Sequence, residues 1–146
     1  MSKDRFEKIL VPVDLADGSE KAAEYASMLA KRHGAKLYVI HVIDLSDDVI
    51  PFVSGLELEQ KLHKKSKEDL AKYAESRFKG IGEVELDTLK GVPYRAILSY
   101  INEKGIDVVV MGSYGKGSVD RFLIGSTTER VMRKSPCPVL VVPPER

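Results

Sequence analysis

The chain has 146 residues, 43% apolar and 31% charged, with a formal charge of +1, the make-up of a water-soluble globular protein. A balance this close to neutral supplies no field to gather nucleic acid or an anionic membrane, and no apolar run approaches the roughly 20 residues that span a bilayer. One cysteine, Cys137, cannot close an internal disulfide, and M-S-K-D-R-F-E-K at the start carries no apolar signal core. Both fit a cytoplasmic protein built as one domain over residues 1–146.

The first apolar run, Lys8 to Val13 (K-I-L-V-P-V), lacks alternation and suits a strand covered on both faces. Pro12 cannot donate to a ladder and belongs at its carboxyl end. Asp17-Gly18-Ser19 then offers N-cap chemistry, with Glu20 three residues after Asp17, for a helix whose Ala22, Ala23, Ala26, Leu29 and Ala30 recur at helical spacing until Gly34. Ala35 to Ile43 reads as a second strand. After a polar loop reaching about residue 56, Leu56, Leu62, Leu70, Tyr73, Ala74 and Phe78 mark the inner face of a long charged helix that Gly80 and Gly82 end. Glu83 to Leu89 alternates as a half-exposed edge strand does. Pro93, at a first helical position, opens a helix to about Glu103, stopped by Gly105. Ile106 to Met111 and Pro138 to Val142 are two more apolar strands, with a helix between them beginning near Gly125-Ser126. Strand and helix alternate four times before a final strand, which predicts a doubly wound parallel sheet.

Ligands of such sheets bind at the carboxyl ends of the strands. Those ends here carry Asp14, Val42 with Asp44, the Gly91-Val92-Pro93 turn and a loop crowded with Gly112, Gly115 and Gly117. Glycines admit a ligand close to the backbone, and a helix start at Gly125, Ser126, Thr127 and Thr128 attracts anions, so a phosphate-binding turn is expected. Two familiar phosphate motifs fail. Gly112 and Gly117 have the Walker spacing, but Lys116 precedes the second glycine and Ser118 follows it. The turn after the first strand, D-L-A-D-G-S, is no dinucleotide fingerprint.

What does match is Gly112-x2-Gly115-x9-Gly125-Ser126 between a strand and a helix. With K-I-L-V-P-V-D at 8–14, V-I-H-V-I-D at 39–44, G-V-P at 91–93, V-V-V-M-G-S-Y-G at 108–115, G-S-T-T-E-R-V at 125–131 and S-P-C-P-V-L-V-V at 135–142, the chain resembles the ATP-binding branch of the universal stress protein family over nearly its whole length. The resemblance implies a Rossmann-like, five-stranded sheet in the order 3-2-1-4-5, with helices on both faces and ATP across the strand ends. It implies that Asp14 meets the ribose or adenine side, that the Val42 backbone contacts adenine, and that Pro12, Val13 and Met111 border the same site. Gly112, Gly115 and Gly125 would wrap the phosphates, Ser126 and Thr127 would donate to them, and Lys116 or Arg121 would add charge. Mg2+ or Mn2+ would accompany the triphosphate. It also implies a homodimer through residues 138–142, where a bare apolar edge invites pairing. The loop departs from the commonest family pattern: Tyr114 stands where His is frequent, K-G-S-V-D-R replaces an R-T-G-type run, and Asp120 adds a negative charge among the glycines.

The remaining residues read as structural. His33, His41 and His63 lack metal-ligand spacing and read as a helix-end, a packed and a solvated histidine. Cys137 suits a buried small residue, and Lys64, Lys65 and Lys67 a solvated helix face. Tyr25, Tyr38, Tyr73, Tyr94 and Tyr100 do not make the basic–aromatic platform of a single-strand binder. The function expected is an ATP-binding regulatory module. The alternatives are a slow ATPase or phosphotransfer enzyme, for which no nucleophile and base stand paired in the sequence, and an interaction protein of the same fold without nucleotide, left open by Tyr114 and Asp120.

Overall fold

The computed structural model describes residues 4–15, 19–44, 55–113 and 124–144, the side chains of residues 55 and 56 excepted. Strands β1 (Lys8–Pro12), β2 (Lys36–Asp44), β3 (Val84–Gly91), β4 (Val108–Gly112) and β5 (Val139–Val142) form one parallel sheet in the order β3-β2-β1-β4-β5. Helices α1 (Glu20–His33), α2 (Gly55–Arg77), α3 (Pro93–Lys104) and α4 (Ser126–Lys134) connect them in turn.

Side chains alternate across the strands and feed two separate cores. Ile9, Val11, Leu37, Val39, Val108 and Val110 meet α1 and α2, whereas Leu10, Tyr38, Ile40, Val109 and Met111 meet α3 and α4. Ile9, Leu10 and Val11 are fully buried, which is why β1 shows no alternation in its sequence. Ala22, Ala23, Ala26 and Ala30 line the buried face of α1 and let it lie close across β1 and β4. Gly34 and Gly105 end α1 and α3 in the left-handed conformation, at φ 63° and 66°, where a side chain would be strained.

The boundaries correct the sequence reading in several places. β5 begins at Val139, because Pro138 has no N–H; its carbonyl still accepts from the Val109 amide at 3.0 Å. β1 ends at Pro12, although the Val13 amide still reaches the Ile40 carbonyl at 2.8 Å. β4 starts at Val108, after Ile106 and Asp107, and continues to Gly112. The N-cap of α1 is Ser19, whose side chain makes no capping bond, and Glu20 pairs with Arg77 of α2, while Asp17 and Gly18 lie outside the described residues. Leu70, Tyr73, Ala74 and Phe78 are buried as expected, Leu62 only half-buried. His63 is not simply solvated: it donates to the Thr88 carbonyl at 3.3 Å. Cys137 is half-buried beside the Ser135 hydroxyl, and burial pushes its thiol up, away from reactivity.

Candidate functional site

Strand order reverses between β1 and β4. The chain leaves β1 toward β2 and β3, then returns to the other side of β1 to build β4 and β5. In an open parallel sheet such a reversal opens a crevice at the carboxyl ends of the two strands. The two ends of this junction differ. At the amino end the Asp107 carboxylate accepts from the Glu7 and Lys8 amides at 2.8 and 2.9 Å, and the Asp107 amide donates to the Lys8 carbonyl at 2.9 Å. At the carboxyl end the β1–β4 register stops at Leu10↔Val109, while β1 stays paired with β2 as far as Pro12↔Ile40. The junction is stitched at one end and open at the other.

One wall of the opening is a locked corner between β4 and α4. The Thr128 hydroxyl donates to the Gly112 carbonyl at 2.8 Å, the Ser113 amide to Val142 at 3.0 Å, and the Gly125 amide to the Ser113 carbonyl at 2.6 Å. Gly125 is the N-cap of α4 at φ −62°, ψ 153°, and among the described residues no side chain caps that helix. Any residue adopts that backbone, so what glycine contributes is the missing Cβ, which leaves room for a close approach. The first amides of α4, on Ser126, Thr127 and Thr128, have no acceptor within the helix, and the positive end of the helix dipole lies there. The Ser113 hydroxyl is buried at the same corner, without a hydrogen-bond partner among the described residues. These groups suit an anion with several acceptor oxygens.

The other wall is the end of β1 against β2. Val13 has both backbone groups engaged: its amide with Ile40, and its carbonyl with the His41 ring, which donates through Nδ1 at 2.8 Å. What Val13 has left to offer a ligand is chiefly its apolar side chain. Ile40 turns its carbonyl toward β1; two residues on, Val42 turns its N–H and C=O the same way, past the point where β1 has ended. A flat ring with donors and acceptors on its rim could pair there. Asp14 follows Val13, its Oδ1 accepting from the Ser19 hydroxyl at 3.1 Å while its amide reaches Ser19 Oγ at 3.4 Å. Leu15 after it is the one described non-glycine residue with positive φ, at 63°, a strained conformation of the kind that gathers at functional sites.

Pro12, Val13, Asp14, Val42, Met111, Gly112, Gly125, Ser126 and Thr127 thus stand along one edge, on the ends of β1, β2 and β4 and the first turn of α4. Met111 is buried, Ser126 exposed and Thr127 half-buried. Gly115 and Lys116, with Tyr114, Gly117, Asp120 and Arg121, lie outside the described residues. Sequence reasoning passed over Ser113 and gave no partner to Ser19 or Thr128. A serine directly after the last strand glycine was the available signal for Ser113; the partners of the other two come only with the fold. Among the described residues no three His, Cys, Asp or Glu side chains converge as metal ligands. Tyr94 collects three cations, the Arg95, Arg130 and Lys134 groups lying 5.7, 5.0 and 5.4 Å from its ring centre. That is one ring, whereas Tyr38 and Tyr100 are buried against each other, 6.1 Å apart.

The model of the universal stress protein family matches residues 5–143. Universal stress protein MJ0531 of Methanocaldococcus jannaschii is 36% identical over 139 residues, covering 94% of this chain and 82% of its own. The solved structure of MJ0577 from the same organism superposes with a TM-score of 0.85 at 29% identity, covering 96% of this chain and 97% of that one. The universal stress protein of Archaeoglobus fulgidus in complex with dAMP gives a TM-score of 0.63 at 25% identity, covering 92% and 96%.

Proposed function

The chain belongs to the universal stress protein family, and on that premise we propose that it is an ATP-binding regulatory module of the cytoplasmic stress response. The observation that carries this reading is the β4–α4 corner: among the described residues, a helix start that no side chain caps, a glycine without torsional need to be one, and a buried hydroxyl without a partner. The polyphosphate would lie on the amides of Ser126 and Thr127, within reach of the hydroxyls of Ser126 and Ser113, with Gly112, Gly115 and Gly125 giving it room. Adenine would meet the Val42 backbone, flanked by Pro12, Val13 and Met111, and the ribose hydroxyls would donate to Asp14. Lys116, which lies between Gly112 and Gly125 in the sequence, would add charge. The adenine nucleotide held by the Archaeoglobus relative supports this choice of base. Mg2+ or Mn2+ would accompany the bound triphosphate.

Binding, more than turnover, is the role this site suits: Asp14 is engaged with Ser19 and stands as an anchor. Purified protein should release adenine nucleotide on denaturation, detected by absorbance and chromatography, and should melt higher in millimolar Mg-ATP. Neither release nor a shift in melting would sink the proposal.

A further inference from the structure

His41 is the one ionisable side chain in the run V-I-H-V-I at 39–43, and it stands where the sheet opens. In a parallel pair the amides and carbonyls of one strand alternate with those of its neighbour in a continuous series of rungs. The Val13 amide donates to the Ile40 carbonyl at 2.8 Å, so the next rung would run from the Val42 amide to the Val13 carbonyl. Among the described residues that rung is missing, and the Val13 carbonyl takes its bond from His41 Nδ1 at 2.8 Å. A carbonyl only accepts, so this ring nitrogen carries the proton. Strand β2 itself does not end there. It stays paired with β3 through His41↔Thr88, Val42↔Leu89, Ile43↔Lys90 and Asp44↔Gly91. Val42 is thus held extended from one side, while its own N–H and C=O face the side that β1 has left.

Val13 is 5% exposed, and a buried carbonyl needs a donor. The ladder would supply the Val42 amide. We propose that His41 is a positioning residue that stops the β1–β2 ladder: by occupying the Val13 carbonyl it keeps the Val42 N–H unpaired, and that N–H, with the Val42 C=O, reads the edge of adenine. The edge of adenine carries an acceptor, N1, beside a donor, the 6-amino group, which complements the N–H and C=O of one residue. With the sugar anchored at Asp14, guanine presents N1–H and O6 in the reverse order and sets donor against donor. This rests on the nucleotide reading above and adds to it the choice of adenine over guanine and the residue that keeps the reading groups free. An apolar side chain at position 41 would release the Val13 carbonyl to the Val42 amide. The sheet would then zip by one rung and close the edge that the base needs.

The test follows amide exchange by NMR and nucleotide affinity on the full chain, for wild type, His41→Leu and His41→Asn, whose side-chain amide restores a donor near the place of Nδ1. Without nucleotide, the wild-type Val42 amide should exchange faster than that of Ile40, which lies within the paired stretch, and ATP should slow it. In His41→Leu it should be slow before any nucleotide is added. ATP affinity should fall about tenfold in His41→Leu, the loss of one hydrogen bond, and recover in His41→Asn. The analogue 1-deaza-ATP, which has C–H in place of N1, should bind wild type and His41→Leu alike, and GTP should bind wild type more weakly than ATP does. A Val42 amide as protected as that of Ile40 in free wild type overturns the proposal. So does undiminished ATP affinity in His41→Leu, an equal loss of ATP and 1-deaza-ATP there, no recovery in His41→Asn, or a wild type that takes GTP as well as ATP. A wild type that binds no nucleotide sinks the nucleotide reading, while the exchange rates of the free protein decide the ladder stop by themselves.

Discussion

Thr128 shows how one hydroxyl holds the corner in place. It is 5% exposed, and its donation to the Gly112 carbonyl at 2.8 Å ties the last residue of β4 to the first turn of α4. Thr128→Val keeps the shape, removes the donor and leaves that carbonyl short of a partner. The expected cost is about 1–2 kcal/mol in denaturant unfolding, with Thr128→Ser close to wild type. A valine variant as stable as wild type would mean that the bond carries nothing. Residues of this kind were half legible in the sequence. The glycines and Ser126 announce themselves by spacing, because a strand-to-helix turn needs them near each other in the chain. Glu20 and Arg77 do not, because they meet only when α2 packs on α1. The His63–Thr88 contact and the cations around Tyr94 were illegible for the same reason.

Elements were read more reliably than contacts, since each carries its own periodicity. The burial of β1, the half-exposed edge strand β3, the alanine face of α1 and the glycine stops after α1 and α3 all follow from local pattern. Their ends shifted by a residue or two where proline or a long-range bond decided the boundary. The order of the strands came from the family resemblance, because alternation alone does not say which neighbour a strand takes. One interaction between elements has a definite acid signature. Glu85 on β3 binds Lys36 of β2 at 2.9 Å and Lys104 of α3 at 3.0 Å, and these ammoniums hold its carboxyl down to about 2 from an ordinary 4.5. A carboxylate depressed by folding stabilises above its unfolded value, so the contribution is complete above about 4.5 and fades as pH falls toward 2. Wild type should exceed Glu85→Gln in stability near neutral pH and lose that margin across this window. A margin independent of pH would contradict it. Because Glu85 is partly exposed, solvent screening keeps the effect small.

For the whole molecule, the sheet order leaves β5 as an edge whose Leu140 is 40% exposed, with Met132 of α4 at 41%. An apolar edge of this kind is covered by pairing with a second copy, so the homodimer is proposed through residues 138–142. Wild type should sediment as a dimer and Leu140→Lys as a monomer; a monomeric wild type would refute the interface. Helix α4 begins at the candidate phosphate corner and leads directly to this strand, so ligand site and edge share one element.

The most direct measurement is calorimetric titration of Mg-ATP into wild type and Gly125→Val, with melting curves to show that both are folded. Gly125 adopts a backbone open to any residue, so torsion does not exclude a side chain there, and the melting curves report any disturbance of the packing. Saturable binding by wild type and none by the folded variant is the predicted result. No binding by wild type, or equal binding by both, would contradict a nucleotide held at the β4–α4 corner.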